Sequence, residues 1–141
     1  MKKLIIAAIL VLTAISASAQ QEKKPFRAYL YNSEYDVFLR IDFYDESITV
    51  PGQDLYGSLP GYLGKTHNTF CWLITTAKVK GHTAHIALIN DYGSEDLTAT
   101  LTCVNDSVYT LRQNSGSALK FPEKKSWKKL PATITFEKVK K

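Results

Sequence analysis

The side chains able to do chemistry are scattered through this chain rather than clustered. His82 and His85 are three residues apart, so on a strand they point to opposite faces, and His67 lies in a separate loop. No cysteine or carboxylate completes a set with metal-ligand spacing, and no metal is expected. Asp91, Glu95 and Asp96 fall in one loop that could attract calcium, but the spaced ligands of a calcium-binding loop are missing. Ser94 stands beside Glu95 and Asp96 with no histidine placed to activate it. Asp36, Asp42, Asp45 and Glu46 could supply an acid–base pair, yet nothing in their spacing brings two of them together in a cleft. No glycine-rich loop follows a strand and opens a helix, and no cofactor is expected. These features point away from an enzyme.

The better supported chemistry is binding through aromatic rings. The chain holds eight Tyr, six Phe and two Trp. Phe70, Trp72 and Ile74 alternate along one strand, and Tyr56 and Tyr62 lie in the glycine-rich stretch before it. These five are the expected binding residues. Tyr29, Tyr31, Phe38 and Tyr44 fall on the face opposite the assigned core. β-propensity alone also places aromatics in strands. An aromatic patch for a glycan, a peptide or another protein is the alternative.

The elements that must position these rings are strands. Residues 70–79, 82–90, 97–104 and 108–113 alternate apolar and polar in succession. Turns are placed at Lys80-Gly81, within 91–96, and at Asn105-Asp106-Ser107. Centring them sets Ala77 opposite Ala84, Leu73 opposite Leu88, Ile86 opposite Leu101, Leu101 opposite Leu111 and Cys103 opposite Tyr109. All these pairs share one face, and a one-residue slip would turn that face to solvent. Phe70, Trp72, Ile74, Ala87 and Ile89 then lie on the outer face, which needs a second cover. The preceding loop or the C-terminal segment can supply it, or the face is a partner or ligand surface.

Shorter strands are expected at 26–31, 37–44, from Ile48, near 57–63, at 119–121 and at 133–139. Val37, Leu39, Ile41 and Phe43 face in, with Arg40 and Asp42 out; Ile134 and Phe136 face in. Trp127 and Leu130 look like buried anchors in a basic loop. The sum is an all-β single domain of about eight antiparallel strands joined mostly by hairpins. A small lipocalin-like up-and-down barrel is the preferred arrangement, and a two-sheet β-sandwich the alternative. Cys71 and Cys103 come out two strands and roughly 20 Å apart along the ladder, too far for a disulfide, so both are expected as free thiols.

Lys2-Lys3, an apolar run over 4–15 and Ala17-Ser18-Ala19 read as a signal peptide spanning 1–19. The mature domain is then 20–141, exported to the periplasm or beyond, with no transmembrane segment expected. The formal net charge is +5, of which Lys2 and Lys3 supply two; seven further lysines crowd the C-terminal stretch. A basic end can meet nucleic acid, anionic lipid or acidic glycan, and export disfavours nucleic acid.

Three segments carry a resemblance: Val50-Pro51-Gly52-Gln53 through Gly61-Tyr62-Leu63, then Asn90 to Leu97, then Trp127-Lys128-Lys129-Leu130-Pro131. Together they resemble a set of small exported β-rich proteins of Bacteroides-like bacteria. The likeness covers most of the mature chain. It implies an envelope location and supplies no activity, so no functional residue is carried over. The expected function is a non-enzymatic binding module for a small molecule, glycan or protein, with its site in the barrel mouth or on the Phe70-Trp72-Ile74 face. A lysozyme-inhibitor role is a weaker variant, because a basic protein would meet a basic enzyme. The alternative is a small envelope hydrolase using loop carboxylates.

Overall fold

A computed structural model describes residues 23–140 of the chain. The expected signal peptide, 1–19, lies outside the described residues. The described chain has strands and turns and no helix. Eight strands close into an antiparallel barrel: β1 (Arg27–Asn32), β2 (Val37–Asp42), β5 (Gly61–Lys65), β6 (Asn68–Lys80), β7 (Thr83–Asn90), β8 (Asp96–Cys103), β9 (Val108–Gly116) and β12 (Thr133–Lys138). Each pairs with the next along the chain, and β12 closes on β1. This is an up-and-down barrel, and closure rules out the sandwich. Two small hairpins interrupt it. β3 (Ile48–Thr49) pairs with β4 (Ser58–Leu59), and β10 (Lys120–Glu123) pairs with β11 (Ser126–Lys129).

An eight-stranded barrel is just wide enough for side chains to fill it. Here they do. Leu30, Leu39, Leu63, Trp72, Ala84, Ala99, Leu111 and Phe136 point in and are almost wholly buried. Phe26, Phe43 and Tyr109 close one end, with the Phe26 and Phe43 rings stacked at 5.6 Å. Leu119, Phe121 and Leu130, from the β10–β11 segment, close the other. Thr98, Thr100 and Arg112 lie outside. Apolar residues inside and polar ones outside reverse the pattern of a membrane-spanning barrel.

The expected register holds across β8–β9 and is displaced by one turn residue across β6–β7 and β7–β8. Leu101 pairs with Leu111 and Cys103 with Tyr109, as expected. The β6–β7 turn sits one residue later, on Gly81-His82, so Ala84 meets Val79 and Ile86 meets Ala77. The β7–β8 turn sits one residue earlier than expected, so Ile86 meets Ala99 rather than Leu101, and Leu101 meets Ala84. Both shifts preserve the face. A β-bulge between Ile74 and Thr76 does not. The extra residue, Thr75, reverses the alternation in the N-terminal half of β6. Phe70, Trp72 and Ile74 therefore point into the barrel, while Cys71 and Leu73 point out.

That outer face is covered. The β3–β4 flap lays Val50 and Leu59 over Tyr62, Cys71 and Leu73, with Phe38, Ile48 and Ile89 at the margin. The preceding loop is thus the second cover.

Asp42 departs from its expected outward place. It is buried, and its carboxylate accepts hydrogen bonds from the Tyr44 and Asp45 N–H groups and the Ser47 hydroxyl, each at 3.1 Å. A short acidic side chain at a strand end satisfies the turn that starts the flap.

Candidate functional site

The five sequence-derived binding residues do not form one surface. Trp72 and Ile74 are fully buried in the barrel interior, and Phe70 is 4% exposed. Tyr62 is buried on the outer wall beneath the flap, and Tyr56 is exposed at the flap tip. The barrel mouth is closed by Leu119, Phe121 and Leu130. Phe70 is nevertheless informative, because it forms the floor of an aromatic cluster whose outer members the sequence placed elsewhere.

Two exposed rings rest on Phe70. Tyr92 is 70% exposed and Trp127 is 45% exposed. Their ring centroids lie 5.3 and 5.1 Å from that of Phe70, both edge-to-face. Tyr92 and Trp127 are 6.5 Å from each other. Below, Phe70 meets Trp72 and Phe121 edge-on at 6.2 and 5.8 Å. The cluster runs without a break from the barrel core to the surface, and edge-to-face contacts of this kind add to simple burial.

Each ring is held by its own local structure. Tyr92 sits in the β7–β8 loop, which is built around buried Asn90. The Asn90 side-chain oxygen accepts from the Ser94 and Glu95 N–H groups, and its amide donates to the Ser94 hydroxyl at 3.0 Å. Gly93, with φ of +72°, makes the turn. Trp127 projects from β11, all four residues of which are exposed. The β10–β11 hairpin is clamped to the barrel from beneath. The Trp72 indole donates to the Lys120 carbonyl at 3.0 Å, and the Asn68 amide donates to the Pro122 carbonyl at 2.9 Å. Buried Trp72 is therefore an anchor for the hairpin that carries Trp127.

The surround is basic. Lys120 lies 5.5 Å over the Trp127 ring and bonds Glu95 at 3.1 Å. Lys128 lies 5.7 Å over Tyr35. Lys124, Lys125 and Lys129 are on the same hairpin, and neither Lys124 nor Lys125 has an ion pair among the described residues. The expectation that Trp127 is a buried anchor is corrected here: Leu130 is buried, and Trp127 stands at the surface.

The other chemical candidates are structural in this arrangement. Ser94 and Glu95 belong to the Asn90 turn and the Lys120 pair. The Tyr31 hydroxyl donates to Asp36, and this bond holds the Asp36 carboxyl below its ordinary range. Asp45 pairs with Arg27. His85 faces Thr100, and His82 lies in the β6–β7 turn. Among the described residues no three His, Cys, Asp or Glu side chains gather as a metal site would require.

No family model matches this chain, and no curated protein or solved structure matches it.

Proposed function

We propose that the protein is an exported, non-enzymatic binding module of the bacterial envelope, and that it takes acidic glycans on the Tyr92–Trp127 surface. The observation that supports this reading is the pair of exposed rings held over Phe70 beside the lysines of the β10–β11 hairpin. A large aromatic ring fixed at the surface offers contact area at little entropic cost. The apolar face of a sugar ring stacks on such a ring, and carboxylates along the glycan pair with Lys124, Lys125 and Lys128. Asp42 and Asp45 are engaged by Arg27, Glu95 by Lys120 and Glu123 by Lys65, which gives the hydrolase reading less support.

The test is calorimetric titration of the mature protein with uronic-acid oligosaccharides and their neutral counterparts. Binding of the acidic set is expected, weakening as salt rises. Trp127→Ala is expected to weaken it at least tenfold with the barrel still folded and melting cooperatively at a modestly lower temperature, because Trp127 lies outside the closed barrel and its loss removes only the contacts with Phe70 and Tyr92. Equal affinity in Trp127→Ala and Tyr92→Ala, or turnover of the glycan, would sink the proposal.

A further inference from the structure

A second surface, on the barrel wall away from the aromatic end, has the makings of a separate site. An open groove of about 860 Å³ runs over β1 and β2, bordered by the flap at Ile48 and by the chain after β12 at Val139. Its volume falls in the range of small-molecule sites, roughly 300–1,000 Å³.

The groove divides into an apolar part and a cationic part. Tyr29, Ile48 and Val139 supply the apolar walls, and Tyr29 and Val139 are 36% and 41% exposed. Arg27, Arg40, Lys138 and Lys140 supply four cations against one lining carboxylate, Asp42. The two arginines differ. Arg27 is held by Asp42 at 3.2 Å and Asp45 at 2.5 Å. Arg40 has no ion pair among the described residues. It stands on the outer wall between Tyr29 of β1 and Tyr62 of β5, its partners in the two ladders. Arg40 hydrogen-bonds the Tyr62 side chain, and as an exposed guanidinium it has further donors to offer a carboxylate or phosphate.

We infer that this groove binds an amphipathic anion, with Arg40 pairing with a carboxylate or phosphate head and Tyr29, Ile48 and Val139 contacting the apolar tail. Charge complementarity selects the head, and the adjoining apolar walls select against a bare ion. The head chemistry is common to a free amphiphile and to an anionic lipid in a bilayer, and the experiment separates the two.

The probes are octyl phosphate and octanoate as monomers, octanol, inorganic phosphate, and vesicles of phosphatidylcholine with or without phosphatidylglycerol. Amide-resolved NMR titration reads the site. Saturable shifts are expected in β1, β2 and around Val139, with octyl phosphate binding at least tenfold more tightly than phosphate or octanol. Arg40→Gln and Val139→Glu, both at exposed positions, are each expected to weaken it at least tenfold. Binding of phosphatidylglycerol vesicles alone, lost in Arg40→Gln, supports the same head contact with a bilayer as its source. Shifts centred on other residues, equal affinity for phosphate and octyl phosphate, or full binding by Arg40→Gln would overturn the assignment.

Discussion

Gly64 and Phe38 offer a direct test of how the outer wall is packed. They face each other across β2 and β5, and the Phe38 ring lies over Gly64. A Cβ added at Gly64 would stand 2.5 Å from Phe38 Cζ and 3.0 Å from each Cε. Carbon atoms in contact prefer roughly 3.5–4.0 Å, so in Gly64→Ala the ring must move by about 1 Å. It is not free to do so cheaply. Phe38 stacks on Tyr29 at 5.6 Å and 9°, and meets Tyr62 edge-on at 5.7 Å. Overpacking costs about 1–3 kcal/mol, and loss of one aromatic pair about 0.5–1.5 kcal/mol. Replacing glycine in a strand by alanine returns about 0.5–1 kcal/mol. Gly64→Ala is therefore expected to destabilise by about 1–3 kcal/mol, read as a lower urea midpoint at constant slope. In a Phe38→Ala background the obstacle is gone, and the same change should be neutral or slightly stabilising. The coupling energy of the four-protein cycle should exceed about 1 kcal/mol. Additivity within about 0.5 kcal/mol would refute the reasoning and, with it, the aromatic row that borders the Arg40 groove.

Two further outcomes follow from buried groups. Burial opposes the charge on Asp42, but hydrogen bonds from Asp45, Ser47 and Tyr44 together with Arg27 outweigh it and hold the carboxyl below its ordinary value. A lowered folded pKa contributes stability that is present above the unfolded value of about 3.9 and is lost as pH falls through the folded one. Asp42→Asn is expected to cost about 2–4 kcal/mol at pH 7, with the gap narrowing toward pH 3; urea midpoints with the same pH slope in both proteins would count against this. Cys71 points outward under the flap and Cys103 inward opposite Tyr109, so the two thiols sit on opposite sides of the wall. Unreduced intact mass should show no two-hydrogen deficit. Alkylation should reach Cys103 before Cys71, because burial pushes the Cys71 thiol up to about 11; first labelling at Cys71 would mean the flap is not seated.

The barrel was legible because its strands follow one another and alternate cleanly. β8 and β9 show why: Leu97, Ala99 and Leu101 leave only one face that can be buried, and the Asn105-Asp106-Ser107 turn fixes their register with β9. The bulge at Thr75 was not legible. Residues 70–79 are apolar at both parities, so alternation cannot say where the strand changes face. That single irregularity moved Phe70, Trp72 and Ile74 from the expected surface into the core. The β10–β11 hairpin was hidden for a different reason. Pro122 interrupts one strand, and Ser-Trp-Lys-Lys carries no alternating signal in the other. Trp127 therefore looked like a buried anchor, although the anchor of that hairpin is Trp72, far away in sequence, through its bond to the Lys120 carbonyl.

The filled interior leaves the ends and the wall of the barrel as the surfaces open to a ligand. With Trp72, Tyr109 and Phe136 occupying the axis, the barrel has no room to act as a cup, and any ligand must meet its ends or its wall. At the aromatic end, Phe70 couples the two: one side of its ring packs on Trp72 and Phe121, and the exposed rings lean on it from above. A rigid core thus reaches the surface through a single buried ring. Tyr92 and Trp127, which come from separate loops, are placed relative to each other by that shared floor rather than by any contact along the chain. Phe70 and Trp72, marked by the sequence, and the exposed Tyr92 and Trp127 are consecutive layers of one stack, whereas Tyr56 and Tyr62 belong to the flap side of the wall.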